Sequence, residues 1–520
     1  MRIDYVHIKS EFKNLEGFKI DLPEDSANPV VVLLGPNATG KSNLIEALVL
    51  IFKYLDLNKK PPFDYEIRYE RGGKNIVVQY DNGKPIYKVD GLPIKSQTEF
   101  NRRKEELLPK YVFTYYSGVS NRLEKIFWEH QNRFYEKIKK PGSTKDDVND
   151  LRRLFYVQLI HSMFVLLAYY FDDEEDTQRF LQEEMKIDDL ESVLFVLRKP
   201  RWKGKGDPRF WGAEGLVREF LSELWKCSIA PINYTENIQK DFRGTEDQER
   251  LYLYVSNKGK LKSLAQFYDK NTDFFKALES TYISDLIEEV RVKVKKRNVR
   301  GEITFRELSE GEQQLLTVLG LLKFTNDDES LVLLDEPDTH LNPLWKWKYL
   351  DFLKDVVKRR DTTQIILNTH DPLLIGSLKK EQIRLFRNDP ATGKVFVEHP
   401  GVDPQGLGVA GILTSELFGL PTTVDPVTYR KLQRQQELLF KKEKEDLAED
   451  EKSEMQNLFH ELNRLGFAQP ITKPDIYQRF LQAYSEREEL NRPAYTKEDL
   501  KRQNEIALAI LNEIFEEEKQ

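Results

Sequence analysis

The chain has 520 residues, 39% of them hydrophobic and 32% charged, enough to bury a large core and to form more than one structural unit. A formal charge of -7 argues against a uniformly basic coat for nucleic acid, and a single cysteine, Cys227, excludes an internal disulfide and any cysteine-rich metal site. No apolar run reaches the ~18–20 residues of a membrane span, and "MRIDYVHIKSEF" lacks the basic and apolar regions of a signal peptide, so a cytoplasmic protein without a membrane partner is expected.

In chain order, "VHI", "FKIDL" and "VVVLLG" read as strands, the last feeding a loop and an apolar helix, "SNLIEALVLIFKYL". "YEIRYE", "NIVVQY" and "PIYKV" predict antiparallel hairpins with "DNGKP" as a turn, and "KYVFTYYSG" is another buried strand. After Gly118, apolar residues recur three and four apart in "RLEKIFWEHQNRFYEKI" and "LRRLFYVQLIHSMFVLLAYYF", which predicts helices through roughly residue 230. Strands return in "RLYLYVSN" and "IEEVRVKVKKR". "SLVLLDEPDTHLNP", a helix "LWKWKYLDFLKDVVKRR" and a strand "TQIILNTHDP" follow. Beyond Pro404 an apolar, Gly-rich patch, "GLGVAGILTSELFGL", leads into charged helical text in which "KKEKEDLAEDEKSE" predicts a solvated helix.

The strongest chemical signal is "GPNATGKSN", Gly35, Pro36, Asn37, Ala38, Thr39, Gly40, Lys41, Ser42 and Asn43. A strand precedes it and a helix follows, so backbone N–H groups and the helix dipole face an anion. Lys41 would reach the outer phosphates of ATP and the Ser42 hydroxyl would ligate Mg2+. "SLVLLDEPD" ends a buried strand in two carboxylates, which suits Asp335 to hold the metal and Glu336 to polarise an attacking water. His370 stands just past the end of a third strand, where an imidazole would contact the terminal phosphate or the water. In "RELSEGEQQLL", Ser309 and Gly311 open a helix as an anion site would. The same letters also spell a capping box, with Ser309 as N-cap and Glu312 three residues on.

Together, "GPNATGKSN", "LSEGEQQ", "LLDEPDTHLNP" and "NTHDP" resemble, in order and rough spacing, the ABC-type ATPases of the SMC, RecF and OLD branch. The resemblance implies an α/β fold, an ABC-type P-loop ATPase head with a mixed sheet and an antiparallel β subdomain, carrying a large helical insertion and a helical C-terminal region. It implies four regions: an ATPase lobe with the phosphate loop (1–120), a helical insertion (121–230), a second ATPase lobe (231–400) and a helical C-terminal region (401–520). It also implies a homodimer or higher oligomer in which Ser309 and Gly311 meet the ATP held by Lys41 of a partner chain. "FTYYSGVSNRLEKIF", "LIHSMFVLL" and "GILTSELFGLPTTVD" are similar to segments of the PtuA ATPases of Septu and retron antiphage systems. That similarity implies a separate HNH nuclease partner of the PtuB kind and, in retrons, a complex with a reverse transcriptase and nucleic acid. The alternatives are a DNA-repair or chromosome ATPase and a scaffold that binds ATP without turning it over.

A nuclease centre within the chain is not expected. No Asp-x-Asp follows His370, and the restriction-type pattern Pro474, Asp475, Asp499 and Lys501 falls partly in text with helical period, whereas that site needs a strand. "RKPRWKGKGDPRFW", Arg198 to Trp211, has two readings: a phosphate-and-base contact, or a surface loop whose tryptophans pack on the helical insertion.

Overall fold

Val30–Leu34 is apolar at every position and buried throughout, and its neighbours in space are two equally buried strands, Ser330–Asp335 and Thr363–Asn368. Such uninterrupted runs belong to a sheet covered on both faces. Here Val31, Leu33, Leu331, Leu333 and Ile366 point into one core cluster, while Val30, Val32, Val332, Leu334 and Ile365 point into another. In the computed structural model, residues 1–22, 28–118, 122–138, 152–170, 178–297, 302–304, 307–323, 329–356, 362–444, 446–467 and 497–519 are described.

The central sheet has seven strands in the order β18 (Val395–Glu398), β17 (Ile383–Asn388), β3 (Val30–Leu34), β16 (Thr363–Asn368), β15 (Ser330–Asp335), β8 (Tyr111–Tyr116) and β9 (Leu154–Val157). All pairs are parallel except β17 with β18. The register aligns Asp335 with Asn368 and Tyr116, and Asn368 with Leu33. The carboxyl ends of β3, β16, β15 and β8 therefore lie level, the edge at which such sheets hold ligands.

One face of the sheet carries the helix Lys41–Leu57 and a six-stranded antiparallel sheet ordered β2 (Phe18–Asp21), β1 (Arg2–Ile8), β4 (Tyr65–Arg71), β5 (Lys74–Asp81), β6 (Lys84–Val89) and β7 (Leu92–Pro93). The expected "DNGKP" turn joins β5 to β6. Asn82 and Gly83 both have positive φ there, the two-residue hairpin geometry. A second antiparallel sheet, of five strands, is ordered β11 (Ile229–Asp241), β12 (Gly244–Val255), β10 (Ile187–Arg198), β13 (Ile287–Lys296) and β14 (Glu302–Thr304).

The region 121–230 is therefore not wholly helical. It contains the helices Glu124–Ile138, Ile160–Tyr169 and Gly215–Cys227, but it also supplies β9 to the central sheet and β10 to the second antiparallel sheet. Apolar runs as short as "LFYV" carry no period that separates a buried strand from a buried helix. Pairing with β8 decides for the strand.

Met1–Pro421 forms one compact unit and Thr422–Gln520 a second. In the second, the charged stretch expected to be one helix is divided between Pro426–Lys444 and Glu449–Arg464, bridged by Arg434 to Glu454, Lys441 to Glu451 and Lys431 to Glu461. Among the described residues no helix is long and apolar enough to cross a membrane.

Candidate nucleotide and metal site

The loop after β3 is built around glycines that cannot be replaced. Gly35 has φ 141°, and a Cβ there would meet the Phe386 carbonyl at 2.4 Å; Gly40 has φ 90°, with Leu15 at 2.8 Å from such an atom. Ala38 is held at φ 64°, and its carbonyl accepts from Asn14 Nδ2 at 2.9 Å. Asn14 in turn accepts from Asn43 Nδ2 at 2.7 Å, and Thr39 Oγ1 donates to Pro36 O at 2.8 Å. Pro36 and Asn37 are exposed. Lys41, 4% exposed, spans the loop and donates to Gly35 O at 2.7 Å and Pro36 O at 2.8 Å. The first turn of the helix Lys41–Leu57 has no acidic residue, so the positive end of its dipole is uncompensated. Burial pushes the Lys41 ammonium down to about 8, against the pull of Asp335 and Glu336. An added anion would restore that charge.

Asp335 is fully buried at the end of β15. Its Oδ1 accepts from Ser42 Oγ at 3.0 Å and Asn368 Nδ2 at 2.5 Å; Oδ2 has no hydrogen-bond partner and faces the Arg122 guanidinium at 3.6 Å. Burial raises its pKa, outweighing Asn368, Ser42 and Arg122. A buried carboxylate with an unused oxygen beside a serine hydroxyl suits a cation. Among the described residues no group of three or more His, Cys, Asp or Glu side chains is placed to hold a metal ion. Mg2+ needs none, since waters and phosphates complete its octahedron. Ser42 and Asp335 fit that role.

Glu336 adopts φ 53°, which is left-handed backbone for a residue with a side chain. Its N–H is tied to Asn368 O at 2.9 Å and its carbonyl to Thr339 Oγ1 at 2.8 Å, so neighbouring bonds impose the turn. The Glu336 carboxylate is partly exposed and lies 3.6 Å from His370 Nε2. Burial and the charge of Lys41 lower the His370 pKa, which keeps the imidazole neutral at pH 7.

Among the described residues, Ser309 and Gly311 make no hydrogen bond to this cluster within the chain. The capping box is formed in full: Ser309 N donates to Glu312 Oε2 at 2.9 Å, and Glu312 N donates to Ser309 Oγ at 3.2 Å. Gly311 is needed within its own chain, because a Cβ there would stand 2.5 Å from the His340 carbonyl. His340 N donates to Gln314 Oε1 at 3.1 Å, which fastens the same helix to the loop after Asp335.

Sequence reasoning missed Asn368, Asn14 and Arg122. Asn368 stands two residues before His370 at the strand's very end, a position that could have been read; Arg122, stacked 5.2 Å from the Tyr116 ring centroid, arrives from a loop and gave no signal. Of the restriction-type pattern, Asp499 and Lys501 lie on the helix Lys497–Lys519, and Pro474 and Asp475 lie outside the described residues.

Residues 30–376, more than half of the chain, match the family described as "AAA domain, putative AbiEii toxin, Type IV TA system". The chain belongs to this AAA-domain family. Its likeness to PtuA is shown by the Septu protein PtuA of Bacillus mycoides, 29% identical over 160 residues, which cover 29% of this chain and 22% of the relative. The retron Vc95 probable ATPase of Vibrio cholerae is 24% identical over 403 residues, 69% of each chain. PtuA of Bacillus thuringiensis is 30% identical over 142 residues, 24% of this chain and 35% of that one, so the match spans only about a fifth to a third of the length of the Septu relatives. Among solved structures, an SMC head bound to the C-terminal winged-helix domain of ScpA aligns with TM-score 0.33 and 13% identity, over 77% of this chain and 98% of that one. In this AAA-domain protein the phosphate loop and the Asp335–Glu336 pair lie at the level carboxyl edge of a mixed sheet.

Proposed function

We propose that the protein binds and hydrolyses ATP at this edge, closes as a dimer around the nucleotide, and serves in an antiphage complex whose nucleic-acid cutting resides in a separate HNH protein. One observation carries the hydrolytic part. Ser42 and Asn368 converge on one oxygen of Asp335 and leave the other without a hydrogen bond, beside a lysine that spans the phosphate loop. Ser42 and Asp335 would hold Mg2+, whose chemistry there would be to offset the negative charge that develops on the phosphates. Lys41 and the helix terminus bind and orient the phosphates. Glu336, fixed by its strained backbone, accepts a proton from the attacking water, and neutral His370 beside it supplies a polar contact to that water or to the terminal phosphate. The defence role is supported by the Septu and retron names of the relatives.

Lys41→Ala should abolish ATP binding, while Glu336→Gln should retain binding and lose roughly 10²- to 10⁴-fold in turnover, the usual worth of a general base. Equal turnover in Glu336→Gln and the parent protein would reject the assignment of the base. For the dimer, Ser309→Arg mixed with Lys41→Ala should recover part of the activity, because one of the two composite sites is then whole. No recovery in demonstrated heterodimers would leave "LSEGE" as a capped helix only. The chain alone should leave DNA and RNA uncut, and should co-purify with an HNH protein encoded beside it; metal-dependent cleavage by the chain alone would contradict the division of labour.

A further inference from the structure

Well away in sequence from the phosphate loop, a cleft of about 680 Å³ opens between the helix Glu124–Ile138, the loop after β10 and the end of the helix Asn271–Ile283. The helix presents Trp128, Gln131, Asn132 and Tyr135 to it, positions that recur three and four apart and form one stripe. Phe127, His130, Phe134 and Ile138 bury the opposite stripe. Trp128 is therefore surplus to the core: it is 52% exposed, an unusual position for so large an apolar ring. Across the cleft Trp202 is immobilised by donation from Nε1 to Ser284 O at 2.7 Å.

The loop that carries Trp202 is stiff, and its cations are divided into two sets. Gly204 and Gly206 turn inward, where a Cβ would meet Gly212 O at 1.9 Å and Ala213 O at 2.2 Å. Backbone bonds from Gly206 N to Gly212 O and from Asp207 N to Ala213 O fasten it. Arg198, Lys199 and Arg209 are consumed by Asp285, Glu249 and Asp207. Arg201, Lys203 and Lys205 alternate with Trp202 and the inward glycines, are exposed, and have no ion pair among the described residues. A row of unpaired cations beside a cleft with open aromatic rings and side-chain amides is the composition that holds unpaired bases and the phosphates joining them.

We propose that this cleft binds single-stranded nucleic acid, with a base against Trp128 and Trp202, its edge read by Gln131 and Asn132, and flanking phosphates along Arg201, Lys203 and Lys205. A duplex keeps its base faces stacked and cannot enter in this way. The site is distinct from the nucleotide site and does not rest on ATP turnover.

The test is fluorescence anisotropy of a labelled oligothymidylate on the full-length protein. Binding should weaken roughly twentyfold between about 50 and 200 mM salt if three phosphates are neutralised. Trp128→Ala should weaken it roughly tenfold, the worth of one stacked base, while Trp128→Phe, which keeps a ring, should retain most of it. Reversing the three cations with Arg201→Glu, Lys203→Glu and Lys205→Glu should remove both binding and its salt dependence; unchanged ATP binding in these variants shows that they are folded. Absence of binding at low salt, or binding indifferent to all of these changes, overturns the proposal. Displacement by MgATP would put the strand in the phosphate loop, and thymidine monophosphate binding as tightly as the oligomer would assign the cleft to a free nucleotide. Either result also overturns it.

Discussion

Asp335 and Glu279 are both buried carboxylates, 0% and 2% exposed, and their surroundings answer burial in opposite ways. Glu279, on the helix Asn271–Ile283, has both oxygens taken: Arg152 donates to Oε1 at 2.6 Å and His161 Nε2 lies 2.7 Å from Oε2. Burial alone would raise its pKa, but His161 and Arg152 outweigh burial and hold the carboxyl below its usual range. Asp335 receives two neutral donors on a single oxygen and one guanidinium at a longer 3.6 Å, and burial wins. The first charge is finished by the fold. The second keeps an oxygen without a hydrogen bond and no counter-charge closer than 3.6 Å, a state that suits a cation better than it suits a structural ion pair.

That contrast can be broken by mutation. Glu279→Gln leaves Arg152 buried without its counter-charge and should cost about 3–5 kcal/mol in chemical denaturation. A loss under about 1 kcal/mol would show that the pair is no anchor. The depressed pKa of Glu279 gives stability that is present above the unfolded value of about 4.3 and is lost as pH falls through the folded value. Glu279→Gln should flatten that acid limb in denaturation series at successive pH values; an unchanged limb would contradict the pairing.

Asp335→Asn should do the opposite. Its raised folded pKa means that the native state binds more protons above the unfolded value of about 3.9, so this group lowers stability as pH rises through that window. Removing the charge should leave stability at neutral pH unchanged or higher by about 1 kcal/mol, and a melt several degrees lower would refute the reading. The smallest effect concerns Lys41. Its ammonium titrates at about 8 within the loop. A phosphate nearby raises that value, so ATP binding at pH 8 should take up as much as about half a proton. Calorimetry in buffers of different ionisation enthalpy measures it, and proton release would reverse the sign.

What the sequence made legible is local. The phosphate loop, the carboxylates after "LVLL" and the Asn82–Gly83 turn each declare themselves within about ten residues, because a turn or a strand end is a local problem. The Ser309–Glu312 box is local too, and both of its bonds form. Asn368 bonds Asp335 only through the register of β15 with β16, which no single stretch encodes. Gly311 has a second, non-local reason to be glycine, since the neighbour that forbids a side chain there is the His340 carbonyl. β9 and β10 were hidden for a related reason: strand pairing, rather than period, selects their conformation.

The proposed role of Asp335 is to take, on its unpaired oxygen, a metal ion that arrives with ATP. Titrating ATP calorimetrically into the parent protein and Asp335→Asn, each with Mg2+ and with EDTA, tests it most directly. Mg2+ should tighten ATP binding to the parent protein by roughly tenfold or more, and this gain should disappear in Asp335→Asn while binding in EDTA persists through Lys41. A metal-dependent gain of equal size in both proteins would contradict it.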